Sequence, residues 1–208
     1  MQTIALLHEQ SPVEQMIIVP AQETLDYFFV LFADAPIERR IRFELADGAR
    51  VNVRGVIMGS AAADIVFETD IVHRGRNTEG FTTVKGILSD RAKATVTGLI
   101  RIPESGNNTN AFLEQRFLLL SKNARAKAEP MLEILANDVK ASHAASISRL
   151  NDEQMFYCES RGLGLHKSRQ LLTEAFVNAI IEKIPDETVV DACRTYLSTI
   201  LSCARIRE

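Results

Sequence analysis

The sequence predicts a mainly β protein: a stack of short strands over residues 1–150, closed by a small helical region over 151–208. Three observations carry this. Apolar and polar residues alternate with period two before Leu150, glycines punctuate the alternation every few residues, and the period changes to that of a helix after Leu150. Between Arg39 and Leu150 no 3.6-residue pattern competes.

Taken in order, MIIV at 16–19 and YFFVLF at 27–32 read as strands. Alternation follows at Ile41, Phe43 and Leu45, at Val51 and Val53, and at Ile65 and Phe67, then more loosely at Leu99, Ile100 and Ile102. Gly48, Gly55, Gly59, Gly75, Gly80, Gly86 and Gly98 bound these stretches and keep them short. A degenerate repeat runs through the same region: Ala49-Arg50-Val51-Asn52, Ala92-Lys93-Ala94-Thr95, Ala124-Arg125-Ala126-Lys127 and Val139-Lys140-Ala141-Ser142. Each unit follows an Asp or Asn and reads small apolar, basic, small apolar, polar, with starts 43, 32 and 15 residues apart. Recurrent short strands with small inward residues suit a β-solenoid, whose stacked coils crowd a narrow core. A β-sandwich gives the same alternation, so pattern alone leaves both open.

Past Leu150, Asn151 or Asp152 can cap a helix running through Phe156 and Tyr157 to Arg161, with Gly162 placed to end it. A second helix is predicted over 166–184, with Leu171, Leu172, Phe176, Ile180 and Ile184 on one face and Pro185 as its stop. A third starts near Asp186 and sets Val190, Cys193, Leu197 and Ile200 at helical spacing. The region is too short to stand alone and is expected to pack against the end of the strand stack.

Composition narrows the function classes. The chain has 208 residues, 46% hydrophobic and 25% charged, enough for one sizeable core. A net charge of −3, evenly spread, provides no basic face for nucleic acid. The longest apolar run, Tyr27 to Ala33, is too short to span a bilayer, and MQTIALLHEQSP lacks the basic start of a signal peptide, so the expected location is the cytoplasm. Three cysteines, Cys158, Cys193 and Cys203, all lie beyond residue 150 in no CxxC array, which excludes a disulfide framework or zinc finger and suits a reducing compartment.

Generic catalytic motifs are lacking, and the chain is not expected to be an enzyme. Gly162-Leu163-Gly164 follows a helix rather than a strand, and no GxxxxGK[ST] occurs. SGNNTN at 105–110 reads as an exposed turn. Cys158, Cys193 and Cys203 read as buried small hydrophobes, and the acid pairs Asp152-Glu153 and Asp186-Glu187 as helix-start residues. The acids after Gly80 do not assemble the pair that a carbohydrate-active β-helix enzyme needs. His8, His73, His143 and His166 share no ligand spacing and read as structural or exposed. His143 stands out among them, because in VKASHAAS it is surrounded by small residues that leave a neutral imidazole room to meet iron.

The segments VKGILSDRAKATVTGLIRI (84–102), LLLSKNARAKAEPMLEILANDVKASHAAS (118–146), LNDEQMFYCESRGL (150–163) and LLTEAFVNAII (171–181) resemble, in order, the SufB/SufD family of iron–sulfur cluster assembly proteins. That resemblance implies a right-handed parallel β-helix with a C-terminal helical region. It is closer to SufD than to SufB: the position matching the SufB scaffold cysteine is Ala124, and the glutamate after the histidine is replaced by Ala144. His143 is retained, and the resemblance makes it a ligand for iron or a nascent cluster at a partner interface. Expected partners are a SufC-like ATPase held through 166–208 and a SufB-like paralogue, or a second copy as a dimer, with the cluster bound transiently and shared. The chain is also shorter than typical members, without room for their N-terminal helical region.

Overall fold

A computed structural model describes residues 1–7 and 11–203. Eleven strands precede three helices: β1 (Gln2–Leu7), β2 (Glu14–Val19), β3 (Thr24–Ala33), β4 (Ile37–Leu45), β5 (Arg50–Gly59), β6 (Asp64–His73), β7 (Glu79–Leu88), β8 (Lys93–Ile102), β9 (Thr109–Leu119), β10 (Arg125–Ile134), β11 (Val139–Ser148), then α1 (Asp152–Ser160), α2 (Leu165–Ile181) and α3 (Glu187–Cys203). Odd strands form one sheet in the order β1-β3-β5-β7-β9-β11, and even strands form the other, β10-β8-β6-β4-β2. Every pairing is parallel between a strand and the next but one. The chain therefore winds as a β-solenoid of about five turns, two strands to a turn, and the sandwich alternative is set aside.

Register partners measure the turn: Gln2 pairs with Asp26, Asp64 with Lys93, and Lys93 with Arg125. A turn thus takes 24 residues at the start of the chain and 32 near its end. Strands paired in parallel register point matching side chains to the same face. Tyr27, Phe29 and Leu31 point inward on β3, as do Ile41, Phe43 and Leu45 on β4, and all are buried. Close approach of neighbouring coils is possible because aromatics lie over glycines: a Cβ on Gly55 would fall within the Phe29 ring, and one on Gly86 within the Phe117 ring. Phe29 in turn stacks on Phe67 with centroids 4.5 Å apart.

The corners repeat as well. Gln22, Gly48, Asn77 and Asn108 have φ of +56 to +67°, and the backbone N–H of each donates to a carbonyl of the next coil. Two of the repeat units, those at Ala49 and Val139, start from this corner. SGNNTN is a turn only as far as Asn108; Thr109 opens β9 and is buried. Ser60-x-x-Ala63, Ser89-x-x-Ala92 and Ser121-x-x-Ala124 form the opposite corner, with all three alanines buried.

The helical region does not sit on the end of the stack, as the sequence suggests. It lies along the outer face of the odd-numbered sheet, where Phe28, Val30, Val56, Met58, Ile87 and Leu118 form one core with Val177, Ile180, Ile181, Ile184, Cys193, Leu197 and Ile200. The reason is legible in YFFVLF: a strand apolar on both faces needs cover on both. The outer face of the even-numbered sheet instead carries charge, with Asp70 between Arg42 and Arg101 and Glu44 between Arg42 and Arg74.

Asn151 caps α1, its side chain accepting from the N–H groups of Glu153 and Gln154, and Gly162 at φ +88° ends the helix. Asp186 caps α3 by accepting from Thr188 and Val189. α2 is turned relative to the predicted face: Leu171 is exposed, and Thr173, Val177, Ile180 and Ile181 point inward, because the cover must follow the apolar columns of β5 and β7. Among the described residues no helix is long and apolar enough to cross a membrane.

Candidate functional site

His143 lies in the middle of β11, the last strand of the solenoid, paired in register with Leu113 of β9. Leu113 points into the core, so His143 takes an inward position on a coil that has no coil beyond it, and it is exposed. Its inward neighbours on β11 are Ala141 and Ala145, and those on the facing β10 include Ala126 and Ala128. The alternation of small residues in VKASHAAS thus builds a shallow alanine floor from which the imidazole can reach an external ligand.

Ala124 is placed elsewhere. It sits fully buried in the Ser-x-x-Ala corner that starts β10, with its N–H bonded to the Ser121 hydroxyl, whereas His143 is mid-strand on β11. The two sequence-flagged positions are not joined into one constellation. Cys158 is buried on α1 and Cys193 is buried on α3, where burial raises its thiol pKa to about 11. Cys193 belongs to the core between the helices and the odd-numbered sheet, and the Cys203 side chain and His8 lie outside the described residues. Among the described residues no three His, Cys, Asp or Glu side chains are grouped to hold a metal.

His73 shows what the residue-level reading could not resolve. It ends β6 in the inward parity of Ile65, Phe67 and Ile71, is wholly buried, and its Nδ1 lies 2.8 Å from the Thr78 hydroxyl. Parity with those three residues was the available signal. Desolvation pushes its pKa down to about 4, so it is neutral near pH 7.

A cleft of about 1270 Å³ separates α1 and the start of α2 from the solenoid corners before β8 and β10. Arg91 and Lys122 lie on its solenoid wall and Asp152 and Glu159 on its helical wall, with Phe156 and Leu165 between them. Phe156 and Leu165 remain exposed in its lining, and Tyr157 and Leu171 are exposed elsewhere on α1 and α2.

Residues 24–176 match the family described as SUF system FeS cluster assembly, SufBD core domain. The chain belongs to the SufB/SufD family. Among curated relatives, the iron–sulfur cluster assembly protein SufD of Bacillus subtilis is 33% identical over 143 residues, which is 69% of this chain and 33% of that protein. SufD of Escherichia coli is 38% identical over 103 residues, 50% of this chain and 24% of that protein. A SufBD family protein of Pyrococcus horikoshii is 29% identical over 150 residues, 72% of this chain and 33% of the relative. The chain thus spans a third or less of these relatives, and within the family it is SufD-like. The match begins at β3 and ends in α2, so it includes the open coil bearing His143, all of α1 and the first part of α2.

Proposed function

We propose that this chain is a non-catalytic, SufD-like component of an iron–sulfur assembly scaffold, working with a SufC-like ATPase in the cytoplasm. The observation that supports it is His143: an exposed imidazole in inward register on the terminal coil, with no thiol in the whole solenoid. A single imidazole holds iron weakly, and cluster assembly needs thiolates. In this reading a SufB-like partner, or another chain seated on β10 and β11, supplies those thiolates, and the cluster is cargo shared across the junction. The ATPase docks on the helical region at 166–208, together with the exposed apolar side chains of α1, and its nucleotide-driven movement shifts the solenoid pair and exposes His143.

The test is reconstitution of cluster on the partner complex with His143→Ala. A yield lowered several-fold is expected, and an unchanged yield removes His143 from the site. Co-purification of a SufC-like ATPase tests the motor, and its failure would leave the assembly reading without one.

A second reading, a homodimeric module that binds the ATPase and holds no cluster, is favoured by Ala124 at the scaffold-cysteine position. Anaerobic mixing of the purified chain with iron and sulfide separates the two, since a homodimer that never develops cluster absorbance fits only the module.

A further inference from the structure

Helix α1 faces the solenoid corners across the cleft, and the side chains it turns toward them are ordered. Asp152, Met155, Phe156 and Glu159 line the cleft. They stand at i, i+3, i+4 and i+7, so one face of α1 carries an acid at each end and two apolar side chains between them. The opposite wall carries Arg91 and Lys122, on the stacked corners before β8 and β10. Phe156 is 73% exposed in the gap.

Among the described residues, Arg91, Lys122, Asp152 and Glu159 make no ion pair. The other charged side chains of the lining are held by backbone. Arg149 donates to the Ser121 and Lys122 carbonyls, Arg169 donates to the Leu120 carbonyl, and the Asp90 carboxylate accepts from the Ala61 N–H. Two bases and two acids therefore face each other unpaired across open space. Such charges attract over about a Debye length, roughly 10 Å at 0.1 M salt. Exposed ion pairs are individually weak, so a form in which the walls meet lies close in energy to the open one.

The attachment of α1 permits that movement. Cys158 is its one buried side chain, and it packs chiefly on α2 rather than on the strands. Its first turn is anchored, because Arg149 just before it is bonded to the corner carbonyls. Its last turn runs into Gly162-Leu163-Gly164, where Gly162 has φ +88° and a Cβ on either glycine would meet nothing within 4 Å. No packing at these two glycines opposes a change of backbone angle. Segments with so few buried contacts rearrange at low free energy.

We propose that α1 is a flap, hinged at 162–164, that closes on the solenoid corners before β8 and β10. Closure brings Asp152 and Glu159 to Lys122 and Arg91, and lays Phe156 against the apolar part of the lining at Leu119 and Leu150. The structure holds the open form. Closing withdraws Phe156 from the surface, so the flap sets how much apolar side chain the helical region presents to any partner. It is a property of the free chain, and it stands or falls without the assembly reading.

The sequence contains no tryptophan, so Phe156→Trp puts a single indole on the flap. Its emission and its quenching by acrylamide are read in the full chain at about 0.01 M and about 1 M salt, where the Debye length is roughly 30 Å and 3 Å. Closure at low salt requires a blue-shifted indole whose quenching constant is at least about twofold below that at high salt, where the charges are screened. Adding Arg91→Glu and Lys122→Glu, both at exposed corner positions, should abolish that protection. Amide exchange of the unsubstituted chain provides a readout independent of variant folding: α1 should exchange faster at high salt while α2 is unchanged. Equal quenching at the two ionic strengths, protection at low salt that survives the charge reversal, or α1 exchange indifferent to salt overturns the inference.

Discussion

His73 couples the fold to pH in a direction that follows from its burial. An unfolded imidazole takes up a proton as the pH falls through about 6.5, but the folded one resists until about 4, because protonation would bury a charge. Stability is therefore full above pH 6.5 and is lost progressively between 6.5 and 4, by up to about 3 kcal/mol for a shift of this size. Glu44, whose carboxyl is held below its usual range chiefly by the hydrogen bond from Arg74, adds acid sensitivity of its own below the ordinary carboxylate value near 4.5. Asp70, raised by desolvation, acts in the opposite sense. The diagnostic window is thus pH 6.5 to 5, where falling pH draws a loss of stability from His73 but not from the lowered Glu44 or the raised Asp70. Urea unfolding of the parent chain should show declining stability across that window, whereas His73→Gln should be flat there. A decline of equal slope in the variant would assign the effect to other groups.

Among the elements, α3 is held to the solenoid by a small number of identifiable contacts. Tyr196 stacks on Phe32 with ring centroids 4.6 Å apart, and its hydroxyl donates to the Ala33 carbonyl at 2.9 Å and meets Ser60. On α2, Lys85 donates to the Phe176 carbonyl at 2.6 Å and lies over its ring. Tyr196→Phe keeps the stack and removes the hydroxyl, so it should cost about 1 kcal/mol, whereas Tyr196→Ala also removes a half-buried ring and should cost roughly 2–3 kcal/mol, below the range for fully buried aromatics. Thermal unfolding measures both, and equal losses would mean that the ring contributes nothing beyond its hydroxyl. These long-range contacts had no trace in the sequence, since residues 33 and 196 adjoin only through the fold. Local signals were readable: the caps at Asn151 and Gly162, the strand parity of β4 and the buried face of α3. The irregular repeat was present but undecoded. Its spacings of 43, 32 and 15 are about three, two and one half-turns of the coil, and only the pairing shows that each turn holds two strands. His143 could be flagged by its small neighbours, but its place on an open coil depends on counting turns.

For the molecule as a whole, a solenoid is quasi-one-dimensional, and each coil is stabilised by the coils beside it. β3 to β9 each pair on both sides, whereas β1, β2, β10 and β11 pair on one. Exposed large apolar side chains collect at the same ends: Leu6, Val13, Met16 and Ile18 at the first coil, and Met131, Ile134, Leu135 and Ile147 at the last. Amide hydrogen exchange should therefore be slowest in β5 and β7, which also lie beneath α2, and fastest in the four edge strands. An unpaired edge invites a further strand or a covering surface. If the chain works by presenting the coil that bears His143, a SufB-like partner or a second copy should slow exchange in β10 and β11 at least tenfold, the factor that corresponds to about 1.4 kcal/mol of added local stability. β1 and β2, at the other end of the stack, should keep their free-state rates. Protection appearing at β1 and β2 instead, or spread evenly over the eleven strands, would place the partner away from His143 and count against a shared cluster at that end.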